Sequence, residues 1–259
     1  MKRYDRQRAI IELLVNKGEL TVDDLANRFV VSKMTIHRDL DDLENEGLLR
    51  KVRGGATIEA NTRFESDFRF REGQDIEAKA AMADAALTLV EPGMTIMVND
   101  GSMAAVLGSR LARMRPLTVI TNNAAVIDAL RTEPGISLIA LGGTYSAKFN
   151  AFFGAITETA LAGLRADIAF ISSPAVSGVE AFHMDDGVVR AKRAMMASAT
   201  RRCLLVNHQR FQRTALHKLA ALDEFDSIIT DRVPPGAAMA ALETAGLALT
   251  VAMEREAAE

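Results

Sequence analysis

The chain has 259 residues, 49% hydrophobic and 25% charged, with a formal net charge of −3 and one cysteine, the composition of a soluble globular protein with room for a small module and one larger domain. A single cysteine excludes an intrachain disulfide and fits a reducing cytoplasm; Cys203, in the apolar run Cys-Leu-Leu-Val, reads as a buried strand residue. The longest uncharged stretch, 134–147, is shorter than the roughly 20 residues a bilayer requires, and the first eight residues lack the apolar core of a signal peptide, so neither a membrane nor a secretory route is expected.

The first predicted helix, Asp5–Lys17, carries Ile10, Leu13 and Leu14 on one side and ends at Gly18, a natural C-cap. Thr21 is placed to cap a second helix, Val22–Phe29, whose inward residues are Val22, Leu25, Ala26 and Phe29. A connection of about three residues leads to Ser32, the spacing of a helix-turn-helix. Ser32 caps a third helix with Ile36, Leu40 and Leu43 in a buried stripe. Met34, His37, Arg38 and Asp41 then fall on the opposite face, with Thr35 in the first turn and Lys33 at the positive helix end. That face suits a polyanion and reads as a recognition helix. Gly47 breaks the pattern, and Leu48–Thr57 reads as a strand and turn carrying Arg50, Lys51 and Arg53, a wing able to touch the phosphate backbone or an adjacent minor groove.

Bulk charge leaves a protein-binding helical adaptor open as an alternative. Residues 1–57 hold eleven Lys/Arg against ten Asp/Glu, a net of +1, and the remaining 20 Lys/Arg and 24 Asp/Glu give −4. Distribution favours nucleic acid. Bases cluster at the start of helix three and in the wing, whereas Asp39, Asp41, Asp42, Glu44 and Glu46 sit mainly where that helix leaves the groove, with Asp24 earlier.

Residues 6–57 resemble the DeoR-type winged helix-turn-helix of bacterial transcription regulators. The matching residues are Val31, Ser32, Thr35, Ile36, Arg38, Asp39 and Leu40, then Gly47, Leu49, Gly54, Gly55 and Ala56. Two positions depart: His37 replaces the first arginine of the family's pair, and Arg53 replaces the histidine before the two glycines. The resemblance implies that double-stranded operator DNA is contacted by Ser32, Lys33, Met34, Thr35, His37 and Arg38, and by Arg50, Lys51 and Arg53 of the wing.

Three regions are expected: a DNA-binding domain over 1–57, a linker over 58–73 and a larger domain over 74–259. The linker has no apolar periodicity, and its Phe64, Phe68 and Phe70 are expected to dock on a domain or a second subunit. From 74 onward strands alternate with helices. The strands are predicted at Thr95–Asn99, Leu117–Thr121, Ser137–Leu141, Ile168–Ser172, Cys203–Asn207, Ser227–Thr230 and Ala248–Ala252. The helices are predicted at Ile76–Val90, Met103–Arg113, Ala124–Arg131, Ile156–Leu164, Val188–Arg201 and Ala237–Ala245. Short, continuous apolar strands between helices imply an α/β, Rossmann-like domain with a doubly wound, mostly parallel sheet.

Ligands of such sheets sit outside the carboxyl ends of the strands. The segments there are Asn99-Asp-Gly-Ser102, Thr121-Asn-Asn123, Gly142-Gly-Thr-Tyr145, Ser172–Gly178 and Asn207-His-Gln-Arg-Phe211. Gly101-Ser102 ahead of a helix is the best phosphate cradle, with Asp100 and Asn122 placed for sugar hydroxyls. Five polar loops in register point to a polar, phosphorylated metabolite.

Residues 64–231 resemble the DeoR-family C-terminal sensor domain, which is related to sugar-phosphate isomerases such as ribose-5-phosphate isomerase. The matching marks are Pro92-Gly93, Asp100-Gly101-Ser102, Thr121-Asn122, Leu141-Gly142-Gly143, Phe153-Gly154, Ala166–Phe170, Lys192–Met195 and Ile229-Thr-Asp231. The resemblance implies a repressor of carbohydrate genes, assembled as a homodimer or homotetramer and released by a small phosphorylated sugar-like effector. Asp100, Gly101, Ser102, Thr121, Asn122, Gly142, Gly143, Lys192 and Arg210 would hold that effector. Met103 lacks a hydroxyl that the family's loop carries, and Asn207 replaces an acid; Arg210 keeps a cation where the family has lysine, now able to grip phosphate bidentately.

The alternatives are an isomerase-like enzyme using Asp186, Glu180, Lys192 or His208, and a DNA binder whose large domain only oligomerises. Asp186 reads better as a helix cap. No GxxxxGK[ST], GxGxxG, HExxH or CxxC sequence occurs, and His37, His183, His208 and His217 lack metal-ligand spacing, so no cofactor, metal or catalytic residue is expected. His208 and His217 read as loop residues making polar contacts.

Overall fold

The computed structural model describes residues 2–58 and 67–253, which fall into two compact units divided after Gln74. The first unit contains helices α1 (Arg3–Lys17), α2 (Val22–Phe29) and α3 (Lys33–Asn45). The strands β1 (Glu19–Thr21), β2 (Arg50–Val52) and β3 (Gly55–Thr57) form an antiparallel sheet in the order β1-β3-β2. The predicted wing is thus the β2–β3 hairpin, braced by the unpredicted strand β1. Thr21 and Ser32 cap their helices, accepting from the N–H groups of Asp24 and Thr35, each at 3.1 Å. Ile10, Leu14, Leu25, Ile36 and Leu40 form the core of the unit, all at most 1% exposed.

The turn between α2 and α3 is strained. Val30 has φ +52°, the left-handed position that usually ends a helix with glycine, while Val31 N donates to Ala26 O across the helix end. For a β-branched residue this conformation costs roughly 1–2 kcal/mol.

Of the three phenylalanines expected to dock, Phe64 lies outside the described residues. Phe68 and Phe70 lie in helix α4 (Phe68–Glu72), within the segment read as a linker; Phe68 is buried and Phe70 packs against the core of the first unit. Asp67 caps α4 by accepting from Arg69 N at 2.9 Å.

The second unit runs α5 (Ile76–Leu87), β4 (Thr95–Val98), α6 (Ser102–Arg110), β5 (Leu117–Thr121), α7 (Ala124–Leu130) and β6 (Ile136–Ala140). It continues with the antiparallel hairpin β7 (Thr144–Ser146) and β8 (Ala151–Phe153), then α8 (Ala155–Ala162) and β9 (Ala166–Ser172). The strands β10 (Ala175–Ser177) and β11 (Glu180–His183) precede α9 (Asp186–Ala197) and β12 (Ala199–Leu205). Last come β13 (His217–Ala221), β14 (Ser227–Thr230), α10 (Gly236–Thr244) and β15 (Thr250–Val251). Seven strands form one wholly parallel sheet, β15-β14-β12-β9-β4-β5-β6, and β10-β11-β13 form a small antiparallel sheet.

Burial on both faces of the large sheet explains the continuous apolar strands. Ile96, Val98, Phe170 and Leu205 pack with Met82, Leu107 and Val126 of α5, α6 and α7. Met97, Ile171 and Leu204 pack on the other side with Leu161, Met195 and Leu242 of α8, α9 and α10. Alternation along each strand therefore feeds two separate cores, the doubly wound arrangement expected.

Three expectations are corrected. The helix predicted over Val188–Arg201 stops at Ala197, because Ala199 and Arg201 pair with Ala166 and Ile168 and begin β12. His217 is a strand residue opposite His183, not a loop residue. The cap of α9 is Asp185, whose carboxylate accepts from Val188 N at 3.0 Å, whereas Asp186 is exposed and pairs with Arg190.

Cys203 is buried at the centre of the sheet, and desolvation pushes its thiol up to about 12 against the weaker opposing influence of Ser227 and Arg201. A thiol whose folded value lies above its unfolded one stabilises the fold at neutral pH, and that contribution fades as pH rises through the folded value. The expected result is no reaction with a disulfide reagent at pH 8 in the native protein and one thiol titrated in denaturant. Native-state titration at pH 8 would show that β12 opens readily.

Candidate functional site

The outward face of α3 is presented as expected. Met34 is 62% exposed, and His37 and Arg38 are exposed with no hydrogen-bond or ion-pair partner among the described residues. Lys33 and Lys51, by contrast, are engaged. Lys33 Nζ lies 2.7 Å from Asp23 Oδ1, linking the first turns of α2 and α3. Lys51 is ion-paired with Asp41 through its side chain, and its backbone N–H donates to Glu44 Oε1 at 2.7 Å. Asp41 and Glu44 therefore fasten the wing to α3, which accounts for two of the acids that lower the charge of this unit. Arg53 is exposed at the hairpin turn, while Arg50 is half-buried and its Nε has no acceptor.

Asp39 is a correction of another kind. It does not join the acids on the outer end of the helix; it is 1% exposed, and its carboxylate accepts from Arg6 Nε at 2.5 Å and from Arg6 Nη2 at 3.1 Å. Hydrogen bonding to Asp39 raises the pKa of Arg6 above the ordinary arginine value. The pair ties α1 to the inner side of the recognition helix and so fixes the angle at which that helix is offered. Charge alone could not reveal this, because its partner lies 33 positions away.

In the second unit the loops after β4, β5, β9 and β12 lie side by side. With neighbouring strands about 4.8 Å apart, four adjacent strand ends span roughly 15 Å. Gly101, at φ +102°, is the N-cap of α6 and turns the chain so that Ser102 begins the helix. Asn99 and Asn123, to which no role was given from sequence, hold this corner. Asn99 Oδ1 accepts from Ser172 N at 3.1 Å, and Asn123 Nδ2 donates to Asn99 O at 3.2 Å and Gly101 O at 3.1 Å.

Beneath the corner lies a buried charge pair. Lys192, from α9, places Nζ 2.9 Å from Ser172 O, to which it donates, and 3.6 Å from Asp100 Oδ1; each residue is only 2% exposed. Thr121 is fully buried and used internally, donating to Val98 O at 2.7 Å and accepting from Asn123 N at 3.1 Å. Asn122 donates to Phe152 O at 2.9 Å, fixing β8, while its Oδ1 is buried without a donor. Gly142 is exposed and joined to α8 by Thr157 Oγ1, which donates to its carbonyl at 2.6 Å. At Gly143 a Cβ would fall 2.5 Å from both Phe153 O and Thr157 Oγ1, so glycine is required by close packing.

At the β12 end, Arg210 closes a short turn, half-buried. His208, in the same turn, is oriented by the 1%-exposed Asp231: His208 N donates to Oδ1 at 2.7 Å and Nδ1 lies 2.7 Å from Oδ2. The loops thus bring Asp100, Gly101, Ser102, Asn122 and Lys192 to one corner, with Arg210 and His208 two strands along. A separate depression lined by Gly93, Pro116, Gly135 and Ser137 lies at the amino ends of β4, β5 and β6 and contains no charged residue. Among the described residues no cluster of His, Cys, Asp or Glu is arranged to hold a metal.

Residues 6–62 match the family model of the DeoR-like helix-turn-helix domain, and residues 74–232 match that of the DeoR C-terminal sensor domain. The chain belongs to the DeoR family. Like other DeoR regulators it joins a DNA-binding helix-turn-helix to a sensor domain in one chain. It is 32% identical over 250 residues to YgbI, an HTH-type transcriptional regulator of Escherichia coli (strain K12), across 96% of this chain and 97% of that protein. It is 32% identical to the L-fucose operon activator of Haemophilus influenzae, across 89% and 92% of the two chains. It is 26% identical to the glycerol-3-phosphate regulon repressor of Escherichia coli (strain K12), across 93% and 96%. A solved D-ribose-5-phosphate isomerase overlaps 52% of this chain and 54% of its own at 16% identity, with a TM-score of 0.39.

Proposed function

We propose that this DeoR-family regulator is a cytoplasmic repressor of carbohydrate genes whose hold on operator DNA is released by a small phosphorylated sugar-like effector. The observation that carries the reading is one chain joining an outward, unpartnered His37–Arg38 face to a polar corner at the start of α6, beside the buried Lys192–Asp100 pair. Relatives named for glycerol-3-phosphate and L-fucose support a carbohydrate pathway. One of them is a repressor and the other an activator. We favour binding over catalysis, since the relatives are named as regulators.

In this reading His37 and Arg38 approach base edges in the major groove, with Ser32, Lys33, Met34 and Thr35 at the groove edge and Arg50, Lys51 and Arg53 on the backbone. Lys51 reaches phosphate only by leaving Asp41. Asp100, Gly101, Ser102, Asn122 and Lys192 form the effector corner, with Thr121, Gly142 and Gly143 shaping it and Arg210 reaching in from the β12 end. Homodimers or homotetramers place two heads on repeated half-sites, and effector binding favours an arrangement that no longer matches their spacing. Such a coupling is typically about 1–3 kcal/mol.

The test is a gel-shift titration on the intergenic DNA upstream of this protein's own coding sequence, repeated with a panel of sugar phosphates. Release by one compound supports the reading; tight binding that no phosphate disturbs defeats the effector half of it. Arg38→Ala is expected to weaken operator binding by about tenfold or more and to blur sequence preference, since a good base contact contributes about 1–3 kcal/mol. Unchanged binding by that variant would show that α3 does not enter the groove. Ser102→Ala combined with Arg210→Ala is expected to leave DNA binding intact and abolish release.

A further inference from the structure

Two apolar side chains on either side of the N-cap of the recognition helix face solvent, while Val31 is half-buried and packs against the core of the unit. Val30 is 89% exposed, and Met34, in the first turn of α3, is 62% exposed. Val30 also holds the left-handed conformation described above, at φ +52°. Neither property serves the fold, since glycine or asparagine would take this backbone with less strain and no apolar surface would be left in water. Backbone strain retained beside a binding element marks a place to ask what the side chain does when its partner is present.

The position answers. Helices of this kind offer their N-terminal residues to base edges, so the turn leading into α3 is carried to the rim of the major groove. The groove rim is not uniformly polar: each thymine projects a C5-methyl group there. An exposed isopropyl group, like an exposed thioether, is the complement of such a methyl. On the same helix and its cap, Ser32, Lys33 and Arg38 carry the polar groups.

We propose that Val30, together with Met34, forms an apolar clamp on a thymine methyl at the edge of each half-site, making Val30 a specificity-determining residue. The inference rests on α3 being the element that enters the groove. The strained conformation is held by the Schellman-type end of α2, in which Val31 N bonds Ala26 O, so the side chain is presented ready-made, without a reordering step on binding.

The experiment uses the full-length protein and a duplex it selects from a randomised library. Val30→Gly and Val30→Asn both relieve the left-handed strain, and both are expected to raise the melting temperature of the first unit by several degrees. Both are also expected to bind the selected duplex about tenfold more weakly, as the loss of one buried aliphatic contact implies. A more stable protein that binds worse is an outcome that a purely structural role cannot give. Replacing thymines of the half-site one at a time with uracil removes only the methyl. One such replacement should weaken the parent protein and have no further effect on Val30→Asn. Unchanged affinity in both variants overturns the proposal, and so does the absence of any uracil substitution that couples to Val30. Arg38→Ala separates the layers: if it too binds normally, α3 is not in the groove; if it alone is weakened, only the clamp is wrong.

Discussion

Replacing Arg6 with methionine is expected to destabilise the DNA-binding unit by about 3–5 kcal/mol, because it leaves the buried Asp39 carboxylate without its hydrogen-bonded cation, with only the exposed Arg3 Nε at 3.9 Å. The two hydrogen bonds from Arg6 are the buried polar tie between α1 and α3, beside a core that includes Ile10, Leu14, Ile36 and Leu40, while Arg3 and Gln7 reach Asp42 nearer the surface. In a unit of this size such a loss lowers the melting temperature by roughly 12 °C or more. The raised pKa of Arg6 sets the pH window. A cation whose folded value lies above its unfolded one stabilises the fold at every pH below the unfolded value. The effect is therefore expected unchanged from pH 5 to 9. Removing both partners, as Arg6→Met with Asp39→Leu, should recover most of the stability, since replacing both members of a buried pair by apolar groups is often neutral. Calorimetry of the three variants is the measurement. A single variant melting within a degree of the parent would show that the pair does not hold the recognition helix in place. Salt provides a second check: the exposed Lys33–Asp23 pair is screened by added salt, whereas Arg6–Asp39 is not.

Features that were legible in the sequence are those whose signals are local. The caps at Thr21 and Ser32, the stripe Ile36–Leu40–Leu43 and the apolar strands of the parallel sheet each announce themselves within a dozen residues. What escaped depends on pairing that no local pattern records, some of it with partners far along the chain. The strands β7, β8, β10 and β11 are three or four residues long and show no period of their own; pairing creates them. Residues 199–201 carry a helix-compatible sequence, yet alignment with β9 draws them into β12. Asp39 looked like one more surface acid until Arg6 met it. Lys192 is the opposite case. It falls on the stripe formed by Val188, Ala191, Met195 and Met196, and a lysine on the buried face of a helix is itself a signal that an anion awaits it.

That anion is Asp100, and the largest effect in the second unit is expected from Lys192→Met. The side chains lie 3.6 Å apart, both 2% exposed, and Lys192 also donates to Ser172 O, so the lysine joins α9 to the ends of β4 and β9. Removing it strands a buried carboxylate and takes a donor from a partly buried carbonyl, a loss of about 3–5 kcal/mol and a melting temperature lower by about 10 °C for a domain of this size. DNA binding by the heads should persist where the protein is still folded, while the same sugar phosphates that release the parent should no longer act. Lys192→Met with Asp100→Asn distinguishes the two roles of the lysine. Neutralising both partners should restore much of the stability, because the stranded charge is gone. It should not restore release, because the corner beside the N-terminus of α6 has still lost its only buried cation among the described residues of these loops. A double variant that recovers both stability and release would assign Lys192 to the scaffold alone and move the anion contact to Arg210. A single variant that melts like the parent would show that Asp100 is satisfied without it, through Asn99 Nδ2 at 3.3 Å.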